Sequence, residues 1–198
     1  MVKGVVLFFL MIAASVAAKA QTADTLFNRL GDFDLARFYN NTASALALGE
    51  KILPDTAKLT PKVRISFFNR MAKLYEDTKQ DTKAIFYYEK VAAAVPDYFV
   101  AQRALGYLYY EDAKQIHLEL YNVKKGDPGY DQLFTSYQSA VRKALPHLEK
   151  AQACDPSDET LDLIRSLYQN IHDDQGLNSL NTRLKGLSKN CIDLLSDH

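Results

Sequence analysis

Two amphipathic segments between Ile65 and Tyr98 carry the clearest hydrophobic pattern in the chain. In the first, apolar residues recur three and four positions apart, which is the period of one helix face: Phe68, Met71, Ala72 and Tyr75. The second repeats this spacing with Ala84, Tyr88, Val91 and Val95. A polar run from Glu76 to Asp81 separates them, and Pro96 ends the second helix because proline cannot continue a helix interior. The pattern predicts two antiparallel helices and favours an all-α fold.

This pair resembles a tetratricopeptide (TPR) repeat, which is a 34-residue helical hairpin with characteristic positions for aromatic, large apolar and small residues. The positions that match the family pattern are Phe68, Met71, Ala72, Tyr75, Ala84, Tyr88, Val91 and Pro96. Ala72 and Ala84 supply the small side chains that helices packed about 8–10 Å apart require. The resemblance implies a right-handed α-solenoid of antiparallel helix pairs, which binds a partner and has no chemistry of its own.

Upstream, Gly31–Ala36 resembles the turn and start of a TPR second helix. We expect that helix to run from about Asp34 to Leu53 and to end at Pro54, with a buried stripe formed by Leu35, Tyr39, Ala43, Leu46 and Leu53. Residues 21–60 are therefore predicted to be a partial N-terminal repeat that precedes the clean repeat of residues 61–98.

The next repeat, residues 99–156, carries an insertion. Leu105, Gly106 and Tyr109 match the first helix of the family, but the second-helix pattern appears only at Ala144, Leu148, Ala151 and Pro156. Tyr109 and Ala144 lie 35 residues apart where the family has 9, so 26 residues have been inserted. The midpoint falls in the strongest turn signal of the chain, Lys125–Gly129.

We therefore expect a hairpin in which both helices are lengthened by about 13 residues and project beyond their neighbours. Their apolar residues would pack together, with Ala113, Ile116, Leu120 and Val123 facing Leu133, Phe134, Tyr137 and Val141. A flexible loop is the alternative. Pro146 should bend the second helix or begin a new segment.

Residues 157–198 are predicted to be a degenerate repeat followed by a C-terminal capping helix. Ser157 or Asp158 caps its first helix, in which Leu161, Ile164 and Tyr168 are apolar. The last helix carries a narrow stripe of Leu177, Leu180, Leu184, Leu187, Cys191 and Leu194. This stripe covers the last repeat or forms a homodimer seam, and Gly186 weakens the second interpretation.

The first twenty residues have the features of a secretory signal peptide: Lys3, an apolar run from Val5 to Val16, and a small-residue cleavage site at Ala18–Ala20. An uncleaved membrane anchor is the alternative, but the run is shorter than the roughly 20 residues that span a bilayer. Cleavage after Ala20 predicts a periplasmic or secreted protein without stable membrane insertion. The formal net charge is zero, which argues against nucleic-acid binding.

Cysteines and histidines give no metal-binding pattern. Cys154 and Cys191 could pair in an oxidising compartment, or they could be buried small apolar residues, and the sequence leaves both interpretations open. Their spacing fits no zinc motif, and none of the four histidines completes one: His117, His147, His172 and His198.

No catalytic motif is present: the chain lacks a glycine-rich phosphate loop, G-x-S-x-G and H-E-x-x-H. We therefore predict neither an enzyme nor a cofactor. The sequon Asn40–Thr42 falls within the predicted helix and is interpreted as coincidental.

The TPR resemblance implies that the first helix of each repeat lines a concave groove. Its candidate partner-binding residues are Asn69, Arg70, Lys73 and Asp77, then Arg103, Tyr107 and Tyr110, and finally Asp162, Ser166 and Gln169. Ala104 stands where chaperone-binding TPR proteins carry Asn, so an acidic C-terminal peptide is not the expected ligand.

The predicted function is an exported scaffold or adaptor that binds a protein or peptide in this groove or through the protruding hairpin. The alternative is an accessory protein that binds a glycan or small ligand through exposed tyrosines. The absence of tryptophan counts against it.

Overall fold

The computed structural model describes residues 25–193 and residue 195. All regular structure in that part of the chain is helical, which confirms the all-α prediction. The helices are α1 (residues 25–38), α2 (Thr42–Ile52), α3 (Pro61–Asp77), α4 (Asp81–Ala94), α5 (Phe99–Tyr121), α6 (Tyr130–Cys154), α7 (Asp158–Asn170) and α8 (Asp174–Leu187), with a 3₁₀ helix (Leu53–Lys58) after α2. None of the described helices is both long and apolar enough to cross a membrane. The predicted signal peptide lies outside the described residues.

The chain forms two compact units, one up to Arg64 and one from Ile65 onward. The core of the first unit is apolar: Leu26, Leu30, Phe33, Ala45 and Ile52. Arg29 donates a 2.7 Å hydrogen bond to Asp55. Hydrogen bonds from Lys58 and Arg29 hold the pKa of Asp55 below its usual value. These contacts fix the short 3₁₀ helix against α1.

The prediction of one helix from Asp34 to Leu53 is wrong. Helix α1 continues through Gly31 to residue 38, and α2 begins only at Thr42. Leu35, Tyr39 and Ala43 of the predicted stripe are exposed, whereas Leu46 and Leu53 are half-buried. The chain reverses at residues 39–41, so the sequon of Asn40–Thr42 lies on an exposed turn and the start of α2.

The same backbone turn joins α1 to α2, α3 to α4 and α7 to α8. Each has one non-glycine residue in the left-handed region, at Asn40 (φ 55°), Lys79 (φ 58°) and His172 (φ 58°). The amide of the following residue bonds the carbonyl five positions back, in the pairs Asn41–Ala36, Gln80–Tyr75 and Asp173–Tyr168 at 2.8–3.0 Å. This is the Schellman cap, which satisfies carbonyls that a helix end leaves unpaired.

The residue after each left-handed position is the N-cap of the next helix. The side chains of Asn41 and Asp173 accept hydrogen bonds from the amides of Ser44 and Gly176. Gln80 occupies the equivalent position before α4 without a side-chain bond. One helix therefore ends and its partner begins within three residues, so each pair is joined by a tight turn with both ends capped.

Helices α3 and α4 bury six of the eight positions on which the TPR resemblance rests, while Phe68 is half-buried and Pro96 is exposed. Met71, Ala72, Tyr75, Ala84, Tyr88 and Val91 are buried. Tyr87 stacks on Tyr75 at 5.7 Å and lies 5.4 Å from Phe68, measured between ring centroids. Tyr88 Oη donates a 2.8 Å hydrogen bond to Glu76. Burial and this bond raise the pKa of Tyr88.

Helices α5 and α6 form one long hairpin, so the insertion is not a flexible loop. They contain 23 and 25 residues. The chain reverses between them through Gly126 and Gly129, which both have positive φ. Ala113, Leu120, Tyr137 and Val141 are buried between them, and the other four residues predicted to pack here are half-buried. At Gly106 an added Cβ would lie 2.7 Å from Leu148 Cδ2, so the two helices pack closely there.

Pro146 lies inside α6, which continues to Cys154. The prediction that a new segment would begin at this proline is therefore wrong. The helix already has more than four turns on the N-terminal side of Pro146, so the loss of one backbone hydrogen bond does not end it.

The C-terminal segment, residues 188–193, is not helical. Helix α8 ends at Leu187, so the prediction that its stripe extends to Cys191 is wrong; Leu194 lies outside the described residues. Within α8, Leu180 is buried, and the other three leucines of the stripe are half-buried. Cys191 forms a disulfide with Cys154, which resolves the two interpretations of these cysteines. Ile192 exchanges backbone hydrogen bonds of 2.9 and 3.1 Å with Asp97 and Phe99.

Two glycines of α8 give a matched stability test. A Cβ on Gly176 would lie 2.3 Å from Cε1 of Tyr168, whereas a Cβ on Gly186 would meet nothing within 4 Å. We expect Gly176→Ala to lower the free energy of unfolding by about 1–3 kcal/mol because of overpacking. Gly186→Ala should raise it by about 0.5–1 kcal/mol through helix propensity. Urea unfolding followed by circular dichroism measures both, and equal effects would contradict this packing.

Candidate functional site

The ten predicted groove residues lie on α3, α5 and α7. Six of them are exposed: Lys73, Asp77, Tyr107, Asp162, Ser166 and Gln169. The other four are half-buried: Asn69, Arg70, Arg103 and Tyr110. All ten therefore have surface that another molecule could contact, and none is a core residue.

Hydrogen bonds link several of these residues across helix boundaries. Tyr107 Oη lies 2.9 Å from Thr160 Oγ1, which connects α5 to α7. Arg103 Nη2 donates to Asp155, at 2.6 Å to Oδ2 and 3.2 Å to the backbone carbonyl. The surfaces of α5 and α7 are thus adjacent at these residues. We call the set formed by Asn69, Tyr98, Arg103, Tyr107 and Thr160 the linked strip.

Asn69 connects α3 to this strip and has an unsatisfied atom. Its Nδ2 donates a 3.2 Å hydrogen bond to Tyr98 Oη, the residue before α5. Its Oδ1 is buried and has no hydrogen-bond partner, which makes it the exception among the buried side-chain polar atoms of the described residues. Leaving such an acceptor unpaired costs about 1–3 kcal/mol, so a donor at this position would be stabilising.

The charges on the predicted groove residues are largely paired within the same region. Lys73 donates a 2.6 Å hydrogen bond to Asp77, and this bond raises the pKa of Lys73. Arg103 pairs with Asp155, and its guanidinium carbon lies 5.6 Å from the centroid of the Phe99 ring. The surface therefore offers aromatic and amide groups among balanced charges, without a field of one sign.

A buried ionic brace connects α6, α7 and α8, and sequence reasoning missed it. Glu149 is buried on α6 and accepts two hydrogen bonds from Arg183 of α8, at 2.7 and 2.8 Å. Tyr168 of α7 donates to the same carboxylate. Burial and this bond raise the pKa of Tyr168, and the bond to Glu149 raises the pKa of Arg183. In the sequence, Glu149 looks like one more polar helix position.

All five N–H groups of Arg183 are used. Besides Glu149, they reach Tyr168 Oη at 2.8 Å, the carbonyl of Gly176 at 2.9 Å and the hydroxyl of Ser179. An open cavity of about 450 Å³ lies beside this group, between Pro146 and Leu187. The guanidinium has no donor left for a ligand there. We therefore interpret the cluster as a structural brace.

Lys150 forms a second buried centre next to the first. Its ammonium group donates to Asp97 Oδ1 at 2.7 Å, to the carbonyl of Leu187 at 3.1 Å and to the carbonyl of Asn190. An ammonium group has three donors, so this one is fully satisfied. It fixes the C-terminal segment, together with the disulfide, to the end of α8 and the start of α5.

A third polar cluster lies between α4, α5 and α6. Tyr109 Oη donates to Glu89, and burial together with this bond raises the pKa of Tyr109. Gln102 donates a 2.8 Å bond to the carbonyl of Pro96, so its Oε1 is left to accept from Nδ1 of His147. Burial lowers the pKa of His147, against a smaller opposing effect of Glu89.

Within the part of the chain that the structure describes, no three histidine, cysteine, aspartate or glutamate side chains are placed to hold a metal ion. In comparisons with known proteins, no family model, curated protein or solved structure matches this chain. The TPR assignment, the groove and the function therefore stay predictions.

Breaking the buried brace should destabilise the protein strongly. Glu149→Gln leaves Arg183 without a counter-charge, and we expect a loss of about 2–4 kcal/mol in the free energy of unfolding, since the guanidinium is about one-third exposed. Asp162→Asn removes the exposed pair with Arg165 and should change stability by less than about 0.5 kcal/mol. Urea unfolding of both variants checks this. A small effect of Glu149→Gln would show that the brace is not an energetic centre.

His147 should make stability depend on pH. Because its pKa is lowered in the folded state, the unfolded chain binds a proton more readily. Stability should therefore fall as the pH drops through the usual histidine pKa of about 6.5, and this contribution should level off below the folded pKa. We expect His147→Gln to lose less stability than wild type between neutral and mildly acidic pH. Identical slopes in urea unfolding would contradict this.

Proposed function

We propose that this protein is a TPR-like, right-handed α-solenoid that acts as an exported scaffold or adaptor. In this proposal it binds an extended segment of a protein or peptide along the surface of α3, α5 and α7. The long hairpin α5–α6 is then a repeat with both helices lengthened, and it provides a second, protruding surface. The proposal includes no catalytic step.

Two features of the fold support a repeat architecture. The turns at Asn40, Lys79 and His172 have the same backbone conformation and the same hydrogen bonds, although their sequences differ. The first helices of these three pairs, α1, α3 and α7, have a leucine at an equivalent position. Leu35, Leu74 and Leu167 each lie five residues before the left-handed residue of the turn. Repeated units with equivalent turns are what a solenoid requires.

The linked strip is the observation that carries the binding proposal. It runs from α3 through the start of α5 to α7, and each of its junctions is made by side-chain hydrogen bonds. The unsatisfied Oδ1 of Asn69 lies within it and is buried, so Arg103 and Tyr107, which are partly exposed, are the members that a ligand can contact. Tyr107 and the Arg103–Phe99 pair next to it are the residue types that dominate binding energy at interfaces.

The balanced charges favour a neutral or mixed ligand segment. The cations of the predicted groove residues already face carboxylates, as in Lys73–Asp77 and Arg103–Asp155. A strongly acidic or basic ligand would have to break these pairs. Aromatic contact and hydrogen bonding to the ligand backbone are therefore the expected sources of affinity.

A photoreactive amino acid at position 107 tests the surface in the native cell. We expect it to capture a specific protein, and the purified partner can then be titrated by calorimetry. Arg103→Ala combined with Tyr107→Ala should weaken binding by at least about tenfold, since both side chains are placed at the centre of the interface.

The matched control removes one tyrosine and one cation from the long hairpin instead. Tyr121 is 89% exposed near the tip, and Lys114 is exposed on the same helix. Tyr121→Ala combined with Lys114→Ala should leave the affinity within about twofold if the linked strip binds the partner. The opposite result would move the binding surface to the hairpin, and no effect of either pair would refute both surfaces.

A further inference from the structure

Helix α1 has two apolar faces, and only one of them is buried. Leu26, Leu30 and Phe33 form the buried face. Phe27, Leu35 and Phe38 stand on the other side and are 74%, 54% and 78% exposed, followed by Tyr39 at 70%. We call these four residues the α1 patch. Single exposed apolar residues are ordinary, but a contiguous group of this size marks an interaction surface.

The equivalent position in the other first helices is buried. Leu74 of α3 and Leu167 of α7 stand five residues before their left-handed turn residues, as Leu35 does before Asn40. Leu74 and Leu167 are 7% and 2% exposed. The same position is therefore buried in α3 and α7 and exposed in α1.

The spacing within the patch is symmetric about Gly31. Phe27 and Leu35 each lie four residues from it, so all three share one helix face with Phe38. A Cβ built on Gly31 would meet nothing within 4 Å, so the face has a bare backbone at its centre. Bulky side chains on both sides of a small residue form a self-complementary surface.

We propose that the α1 patch binds the α1 patch of a second copy of this chain. Two antiparallel α1 helices that cross at Gly31 place Phe27 of each copy against Leu35 of the other, on both sides of the two-fold axis. Such an isologous contact is the commonest arrangement in homo-oligomers. The missing side chain at Gly31 lets the two backbones approach closely at the axis.

The exposed area of the α1 patch is sufficient for a weak, reversible contact with a second copy. Three exposed aromatic residues and Leu35 leave on the order of 500 Å² available, since an aromatic side chain can bury 150–250 Å². A stable interface takes about 800 Å² from each partner, so the patch supplies more than half of one share. The proposal is independent of the linked strip and places the homodimer contact on α1 instead of α8.

Sedimentation velocity of the exported full-length protein tests the proposal. We expect a reversible dimer with a micromolar dissociation constant. Gly31→Glu should weaken it by at least about tenfold, because two carboxylates would meet at the two-fold axis. The monomer should stay folded, because the added side chain points into open space.

Gly186→Glu is the matched control, since Gly186 is also an unobstructed helical glycine. It should leave the dissociation constant unchanged. If Gly31→Glu leaves the dissociation constant unchanged, whatever the effect of Gly186→Glu, the contact lies elsewhere and the proposal is overturned. A protein that is monomeric at every concentration also overturns the proposal. This conclusion holds even if the monomer cosediments with vesicles of phosphatidylcholine and phosphatidylglycerol.

A covalent test gives an independent answer. Cys154 and Cys191 are paired with each other, so an added cysteine has no partner within the chain. Oxidised Gly31→Cys should form a disulfide-linked dimer on a non-reducing gel, and Gly186→Cys should stay monomeric. Equal cross-linking of the two variants would contradict a contact centred on Gly31.

Discussion

Two adjacent buried charges on α6 constrain the C-terminal part of the second unit. A charge can be removed from water only if opposite charges or hydrogen bonds replace the water. Glu149 meets this requirement with Arg183 and Tyr168, which places α8 and α7 against α6. Lys150 meets it with Asp97 and two backbone carbonyls, which places the start of α5 and the C-terminal segment. The apolar contacts between these helices could tolerate small shifts, whereas these hydrogen-bond geometries tolerate few.

The sequence predicts most helices because their apolar periodicity matches what they bury. The α3–α4 pair and the long hairpin are clear for this reason, and Ser157 caps α7 as its position suggests. The error at α1 comes from giving Gly31 and Asp32 the role of a turn. The actual turn uses Asn40, which tolerates the left-handed region, and Asn41, a strong N-cap residue. Those two asparagines were the signal for it.

The polar centres could not be predicted from periodicity. Glu149 and Lys150 are typical of a solvated helix face, and their partners lie 19 to 53 positions away in the chain. The same holds for the linked strip, since Tyr107 and Thr160 lie 53 positions apart and meet only in the folded chain. Residue types on the first helices identify candidates, but only the fold decides which of them are neighbours and which acceptor is left unpaired.

The disulfide has a consequence for how the structure comes apart. It joins the last residue of α6 to a residue 37 positions later, so α7 and α8 lie inside one covalent ring. Helical proteins ordinarily fray from their terminal helices. Here the last pair is closed by a link worth roughly 4 kcal/mol in chain entropy. Unravelling should therefore start at the opposite terminus, and the C-terminal pair should be the last to lose protection against hydrogen exchange.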